Sequence, residues 1–376
     1  MEENKIVLEQ SLDITKVNRK EKNNNQRDVL GIHHVTAITS DPQRNIDFYT
    51  GNLGLRLVKL TVNQDDPTSY HLYYGDELGR PGTILTFFHW PNILKGQRGT
   101  SEVSAVSFLI PENSINYWIE RFKDKKVEFS GPSKRFENEK VISFHDPDGL
   151  ELELVAHNSA ENRTANLWRE GPIPIEHAIR GFYSVTLSEK GYERTACVLT
   201  DELGFIPTRQ DRNRFRYEIP TTSLPSNWEE EEEGNVRGAN IVDVLCLPHT
   251  WQAAIGIGSV HHIAWRTPTD KQQMVLRKNI VKAGLNATPI IDRLYFHSVY
   301  FHEPGGVLFE IATNPPGFTI DEKIEELGTH LTLPKWLEPM RKDLEIVLPP
   351  VRLPMKEKGQ VLNKEQQQQY QQKGRK

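Results

Sequence analysis

Two stretches near the C-terminal end decide how this chain folds: GSVHHIAWRT, Gly258–Thr267, and DRLYFHSVYFHEPGGVLFEIAT, Asp292–Thr313. A double histidine opens a short apolar strand in the first. In the second, Glu310 stands alone inside another apolar strand. Burying a carboxylate is costly unless it is paired or bound to a metal. Near the start of the chain a second double histidine, His33-His34, opens the similar strand GIHHVTAIT, Gly31–Thr39.

Working outward from these stretches, one pattern recurs four times. The first copy has a strand from Ile32 to Thr39, then Asp41-Pro42, a helix cap with proline in the first turn. Its helix carries Ile46, Tyr49 and Leu53 on one face, Gly54 closes it, and three strands follow. The second copy starts at Ser104–Leu109, has a helix bearing Ile115, Trp118, Ile119 and Phe122, and ends with strands to Ala156. The third begins at Gly181–Leu187, with a helix expected from about Glu189 to Leu203. The fourth begins at Val260–Arg266, with a helix from about Thr269 to Ala283. The turn His302-Glu303-Pro304-Gly305-Gly306 replays His145-Asp146-Pro147-Asp148-Gly149 and sets Glu310 opposite Glu153.

The expected architecture is α+β: four βαβββ units paired into two half-barrel cups. The units occupy residues 30–92, 101–157, 178–248 and 257–314. A disordered arm (1–29) precedes them, a linker (158–177) divides the halves, and an extension (315–354) packs on the body through Trp336 and leucines. A lysine- and glutamine-rich tail (355–376) reads as disordered. The acidic run Glu229–Glu233 reads as a solvated loop.

Composition narrows the function classes. A net charge of −5 leaves no global electrostatic footprint for nucleic acid. No apolar run approaches the roughly 20 residues that span a bilayer, and the N-terminus has no signal-peptide core. The two cysteines, Cys197 and Cys246, suit a reducing compartment. A cytoplasmic protein is expected, with assembly into a homo-oligomer left open.

Strand side chains alternate between faces. His34, Thr36 and Ile38 share one face of the first strand, and His33, Val35 and Ala37 the other. His262 and Ala264 likewise oppose His261, Ile263 and Trp265, and Glu310 shares its face with Leu308 and Ala312. If the bulkier apolar faces pack on the helices, one rule sends His34, His262 and Glu310 into a cup. Two histidines and a carboxylate are the ligand set of mononuclear non-haem Fe(II) centres, with about three positions left open. A substrate with two oxygens can chelate there, leaving room for O₂. The second unit offers Glu153 without a histidine. The third offers Ser184 in the histidine place and no glutamate near Asp243 in convincing register. One metal site is therefore expected, shared by the first and fourth units, with a vestigial cup in the second and third. Tyr300 shares a face with Ser298 and His302 and can point inward, and Arg293 can neutralise a phenolate.

The chain resembles the glyoxalase/bleomycin-resistance superfamily, also called vicinal oxygen chelate, and within it the ring-cleaving dioxygenases that act on hydroquinones. The resemblance lies in GIHHVTAIT, FYTGNLGLRLVKLTVNQDDP, SYHLYYGDELGRPGTILTFF, DPDGLELEL, SVHHIAW, DRLYFHSVYFHEPGGVLFEIAT and LPKWLEP, spanning Gly31 to about Pro350. It implies Fe(II), with Mn(II) also suited, held by His34, His262 and Glu310. It implies an aromatic substrate cleaved with O₂ in extradiol fashion, contacted or polarised by Arg293 and Tyr300. It also places His33 and His261 near the active site, where strand alternation argues against metal contact, so both are expected behind the ligands. Two other readings share the superfamily: a metal-dependent isomerase, lyase or thiol transferase, and a non-enzymatic, drug-sequestering binder.

Overall fold

The first unit sets the pattern. Strand β1 (Ile32–Thr39) is buried on both faces. The chain then turns into α1 (Pro42–Ile46), capped by Asp41, whose side chain accepts the Arg44 N–H. The helix widens into a π turn at Asp47–Asn52. Gly54, at φ +69°, ends it in a conformation that strains any other residue. Strands β2 (Arg56–Val62), β3 (Tyr70–Gly75) and β4 (Ile84–His89) complete the unit.

The second unit comprises β5 (Glu102–Ile110), α2 (Ile115–Lys125), β6 (Phe129–Arg135), β7 (Glu139–His145) and β8 (Glu151–Ala156). Helix α2 buries Ile115, Trp118 and Phe122, three positions on one helical face. Truncating Phe122 to alanine in such a core costs about 3–5 kcal/mol. The third unit has β9 (Phe182–Glu189), α3 (Glu193–Cys197), β10 (Ile206–Asp211), β11 (Arg214–Glu218) and β12 (Ile241–Cys246). Its helix starts four residues later than the sequence suggests, because Ser188 and Glu189 pair with Leu245 and Cys246 and so belong to the strand. The fourth unit has β13 (Val260–Thr267), α4 (Asp270–Lys282), β14 (Ile291–Asp292), β15 (His297–His302) and β16 (Leu308–Thr313).

These 16 strands form two eight-stranded sheets, ordered β14-β15-β16-β13-β1-β4-β3-β2 and β10-β11-β12-β9-β5-β8-β7-β6. The first and fourth units therefore make one curled sheet, and the second and third make the other. Strands β1 and β13 meet antiparallel at the centre of the first sheet. The units are stitched across by the repeated turns. Asp146 accepts the N–H groups of Asp148 and Leu150 and the Tyr49 hydroxyl. Glu303 accepts those of Gly305 and Val307 and the Thr195 hydroxyl. Each turn thus fastens to the helical segment of the unit before it.

The computed structural model describes residues 29–220 and 239–354. The arm (residues 1–28), the run Glu229–Glu233 and the tail from 355 lie outside them. In the extension, Leu333, Leu337, Leu344 and Leu348 are buried, the last three around α5 (Arg341–Val347). Trp336, expected to pack on the body, is instead 59% exposed. The extension also covers the open edge of the first sheet: Leu331 bridges Leu60, and Thr332 N–H donates to Leu60 O. Beneath that edge the buried Lys59 ammonium bonds Asp321 and Glu322. No described helix is long and apolar enough to cross a membrane.

Candidate metal centre and its pocket

At the middle of the first sheet, β1 supplies His34, β13 supplies His262 and β16 supplies Glu310. All three are buried. His34 Nε2 lies 3.2 Å from His262 Nε2, and Glu310 Oε2 lies 3.3 Å and 3.0 Å from the two. Among the described residues this is the one group of three or more such side chains able to hold a metal ion. The other carboxylate oxygen, Oε1, accepts from Ser298 Oγ at 2.5 Å. Burial works against a charge on Glu310, but the charge and hydrogen bonding of His34 and His262 outweigh it and hold the carboxyl well below its usual range.

The leading histidines do not sit on the far face as simple alternation suggests. In the β1–β13 ladder, Ile32 pairs with Trp265 and His34 with Ala264, so His33 is an extra residue. Thr36 pairs with His262 and Ala37 with Val260, so His261 is extra on the other strand. Both are β-bulges, which re-aim a side chain locally. His33 Nδ1 lies 2.9 Å from His34 Nδ1, and His261 Nδ1 lies 2.8 Å from His262 Nδ1. Phe296 touches both rings of the first pair, and Phe88 both rings of the second.

This contact fixes a tautomer. His33 Nε2 is 3.1 Å from Thr313 O, which can only accept. Nε2 therefore carries the proton. Burial, reinforced by His34, keeps the His33 pKa well below the ordinary histidine value, so the ring is neutral and its Nδ1 is a lone pair. His34 Nδ1 must then donate, which leaves Nε2 as the His34 nitrogen that faces Glu310 and His262. Burial also lowers His262, and with its neighbours it takes His261 down to about 3.

Two imidazole nitrogens and a carboxylate oxygen face one another here, and Glu310 Oε2 accepts no well-formed hydrogen bond, an arrangement that a bound cation satisfies. A point about 2.1 Å from all three lies about 1 Å off their plane and subtends angles of about 100°. That is close to one face of an octahedron, so the donor set fits a divalent metal with open positions opposite it.

His34 and His262 line an open pocket, with buried Glu310 in contact with both. Tyr300 lines it from β15, its ring 5.6 Å from that of His262. Burial first, then the Glu310 charge, pushes the Tyr300 hydroxyl well above its ordinary pKa, so it stays protonated. Arg293 lies 5.5 Å over the Tyr300 ring and forms a two-bond pair with Asp65 at 3.2 Å and 3.0 Å. Burial opposes its charge, but Tyr300 and Asp65 raise its pKa. His34, His262, Tyr300 and Arg293 thus line one pocket, with Glu310, His33 and His261 against the two histidines. The sequence reading missed the wall from the first unit: Thr36, Thr61, His71, Tyr73 and Phe88 also line the pocket, as does Pro334 from the extension. The signal was present in SYHLYYGD, where His71 and Tyr73 alternate onto one face.

The vestigial cup of the second sheet is filled by side chains of its own. Asp243 pairs with Thr186 as Glu310 pairs with Ala264, so an aspartate stands in the register that the glutamate holds in the other sheet. Arg216 pairs with Asp243 as Tyr300 pairs with Glu310. Its buried guanidinium grips Asp243 at 2.7 Å and 2.9 Å and also bonds Glu139. Arg135 joins Glu139 to Glu153 at 2.8 Å and 2.7 Å. Arginines fill the space that the triad frames in the other sheet.

Comparison with known proteins bears on the family and the fold. The model of the Glyoxalase/Bleomycin resistance protein/Dioxygenase superfamily matches residues 31–154. MhqO of Bacillus subtilis (strain 168), which carries the name of a ring-cleaving dioxygenase, is 40% identical over 84% of this chain and 95% of its own length. A chlorohydroquinone/hydroquinone 1,2-dioxygenase of Sphingobium indicum is 34% identical over 84% and 95%. A crystal structure of a Bacillus subtilis protein described as a dioxygenase superposes with a TM-score of 0.78 at 38% identity, covering 87% of this chain and 99% of that one.

Proposed function

Because the chain belongs to the glyoxalase/bleomycin-resistance/dioxygenase superfamily, we propose that it is an Fe(II)-dependent dioxygenase that opens the ring of hydroquinone-like aromatics with O₂. The observation that carries the proposal is the convergence of His34 Nε2, His262 Nε2 and Glu310 Oε2, with both histidines lining a pocket. The names of the relatives support the reaction class and the hydroquinone substrate.

In this reading His34, His262 and Glu310 hold the metal, which supplies a Lewis acid and a route for electrons from the ring to O₂; Mn(II) suits the same ligands. The protein's own groups do the rest. His33 and His261 fix the orientation and tautomer of the ligand rings through their Nδ1 contacts. Arg293, which lines the pocket over the Tyr300 ring, neutralises the phenolate oxygen. Tyr300, kept protonated, donates a hydrogen bond to the developing charge on oxygen. Phe88 and Phe296 flank the histidine pairs and exclude water from them. The net reaction adds both atoms of O₂ to the substrate while one ring carbon–carbon bond beside a hydroxyl breaks, so no other reductant is needed.

The test is anaerobic loading with Fe(II), then oxygen uptake with hydroquinone or methylhydroquinone. One O₂ consumed per ring-opened product is expected. An isomerase, lyase, thiol transferase or sequestering binder would consume none, and no uptake with either substrate or with catechol refutes the proposal.

A further inference from the structure

The pocket wall contributed by the first unit carries polar groups that none of the roles above uses. His71 and Tyr73 share one face of β3 and line the pocket. His71 bridges two hydroxyls: its Nε2 lies 2.8 Å from Thr86 Oγ1, and its Nδ1 lies 3.0 Å from the Tyr73 hydroxyl. Thr86 Oγ1 continues the chain to Thr36 Oγ1 at 2.9 Å. The His71 and Tyr73 rings are 4.0 Å apart, and Phe88 packs on His71 at 4.5 Å.

The strand register gives this wall its meaning. Tyr73 pairs with Thr86 on β4 as Tyr300 pairs with Glu310 on β16. The two tyrosines are therefore counterparts, one from each unit, facing a common space. Glu310, Tyr300 and Arg293 all act electrostatically on the Tyr73 hydroxyl, while burial is the largest influence and raises its pKa well above ten. Tyr73 thus keeps its proton.

Burial, then the charges of His34, His262 and Arg293, lowers the His71 pKa well below the ordinary value, so the ring is neutral, with one donor and one acceptor nitrogen. If Nδ1 accepts from Tyr73, the tyrosine oxygen keeps lone pairs for a donor in the pocket. If Nδ1 donates, the tyrosine proton is free for an acceptor there. In either tautomer one hydrogen-bonding function of Tyr73 is left for a ligand. The two oxygens of a 1,4-diol stand at opposite ends of its ring, so only one can reach the triad. The other needs a partner elsewhere, whereas the oxygens of a 1,2-diol can both reach one metal.

We propose that Tyr73, positioned by His71, hydrogen-bonds the distal hydroxyl of a 1,4-dihydroxybenzene whose other oxygen lies at the His34–His262–Glu310 site, and so selects para-diols over monophenols. This rests on the ring-cleavage reading for the nature of the ligand, but it is tested by binding rather than turnover.

The experiment is anaerobic calorimetry on the Fe(II)-loaded protein with hydroquinone and with phenol, which lacks the distal hydroxyl. The unaltered protein is expected to bind hydroquinone about fivefold to tenfold more tightly than phenol, the effect of one net hydrogen bond. Tyr73→Phe is expected to bind phenol as before and to lose that preference to within about twofold. His71→Asn, whose amide stands where Nδ1 does, retains the preference. His71→Gln, whose amide stands nearer Nε2, loses it with phenol affinity intact, a pattern that a purely structural role would not give. A Tyr73→Phe protein that keeps its preference overturns the inference, as does one that weakens hydroquinone and phenol alike. A Tyr73-dependent preference without oxygen uptake supports this site and refutes the dioxygenase. Oxygen uptake with a preference indifferent to Tyr73 does the reverse.

Discussion

Arg216→Met is the substitution whose consequence the structure defines most closely. Arg216 is 2% exposed, and its guanidinium is the common partner of Asp243, at 0%, and Glu139, at 1%. Met keeps most of the stem and removes the charge. Asp243 is then left with Arg214, whose side chain is 21% exposed, and Glu139 with Arg135 and the Tyr183 hydroxyl. Removing one partner of a buried ionic group typically costs about 3–5 kcal/mol, because the remaining charge stays desolvated. Urea unfolding followed by tryptophan fluorescence should show a loss in that range. Adding Asp243→Leu should recover about half of it or more, since an apolar pair replaces an ionic one at little net cost. Acid sensitivity should rise as well. Burial would raise Glu139, but hydrogen bonding and charge from Arg216, with Arg135, bring it down to about 2. A carboxyl depressed in the folded state contributes stability above about pH 4.5 that is lost as pH falls through about 2. Without Arg216 part of that contribution disappears and acid unfolding begins at higher pH. Metal affinity should not change, because the second sheet supplies no member of the triad. A loss under about 1 kcal/mol, or a fall in metal affinity of the folded variant, would refute this division of labour between the sheets.

Two further outcomes are expected. Burial, then the Glu303 charge, raises buried Glu189 to about 8, so the folded chain holds a proton there that the unfolded chain gives up above about pH 4.5. Stability is drained as pH rises through that window, and Glu189→Gln should unfold like the parent at pH 4.5 but be about 1–3 kcal/mol more stable at pH 8. Removing the Nδ1 partner of a ligand histidine by His33→Ala should lower metal affinity by about 10–100-fold in chelator competition, with hydroquinone binding to the saturated protein much less affected.

The repeat was legible because each unit must bury one face of its strands and helix, and the cost of leaving apolar positions exposed writes that periodicity into the sequence. Ile115, Trp118 and Phe122 are one such stripe. Pairing of the first unit with the last followed from chemistry instead: only those two units carry histidines in their first strand. What escaped was set by register and by distant segments. His33 and His261 sit in bulges, and an extra residue in a ladder leaves no mark on the alternation of a single strand. The place of Asp243 escaped for the same reason, since it depends on pairing with Thr186. The arginines of the second cup come from β6 and β11, where a charged residue on a strand is indistinguishable from an edge residue until its neighbours are known. Trp336 was expected to pack on the body, but the leucines around it supply the packing and leave the indole at the surface.

The most direct test of the central claim uses ¹⁸O₂. Fe(II)-loaded protein supplied with hydroquinone should give a ring-opened product carrying both labelled atoms, and His262→Ala, which removes one corner of the triad, should give none while remaining folded. Product without label, or labelled product formed equally well by His262→Ala, would contradict the account.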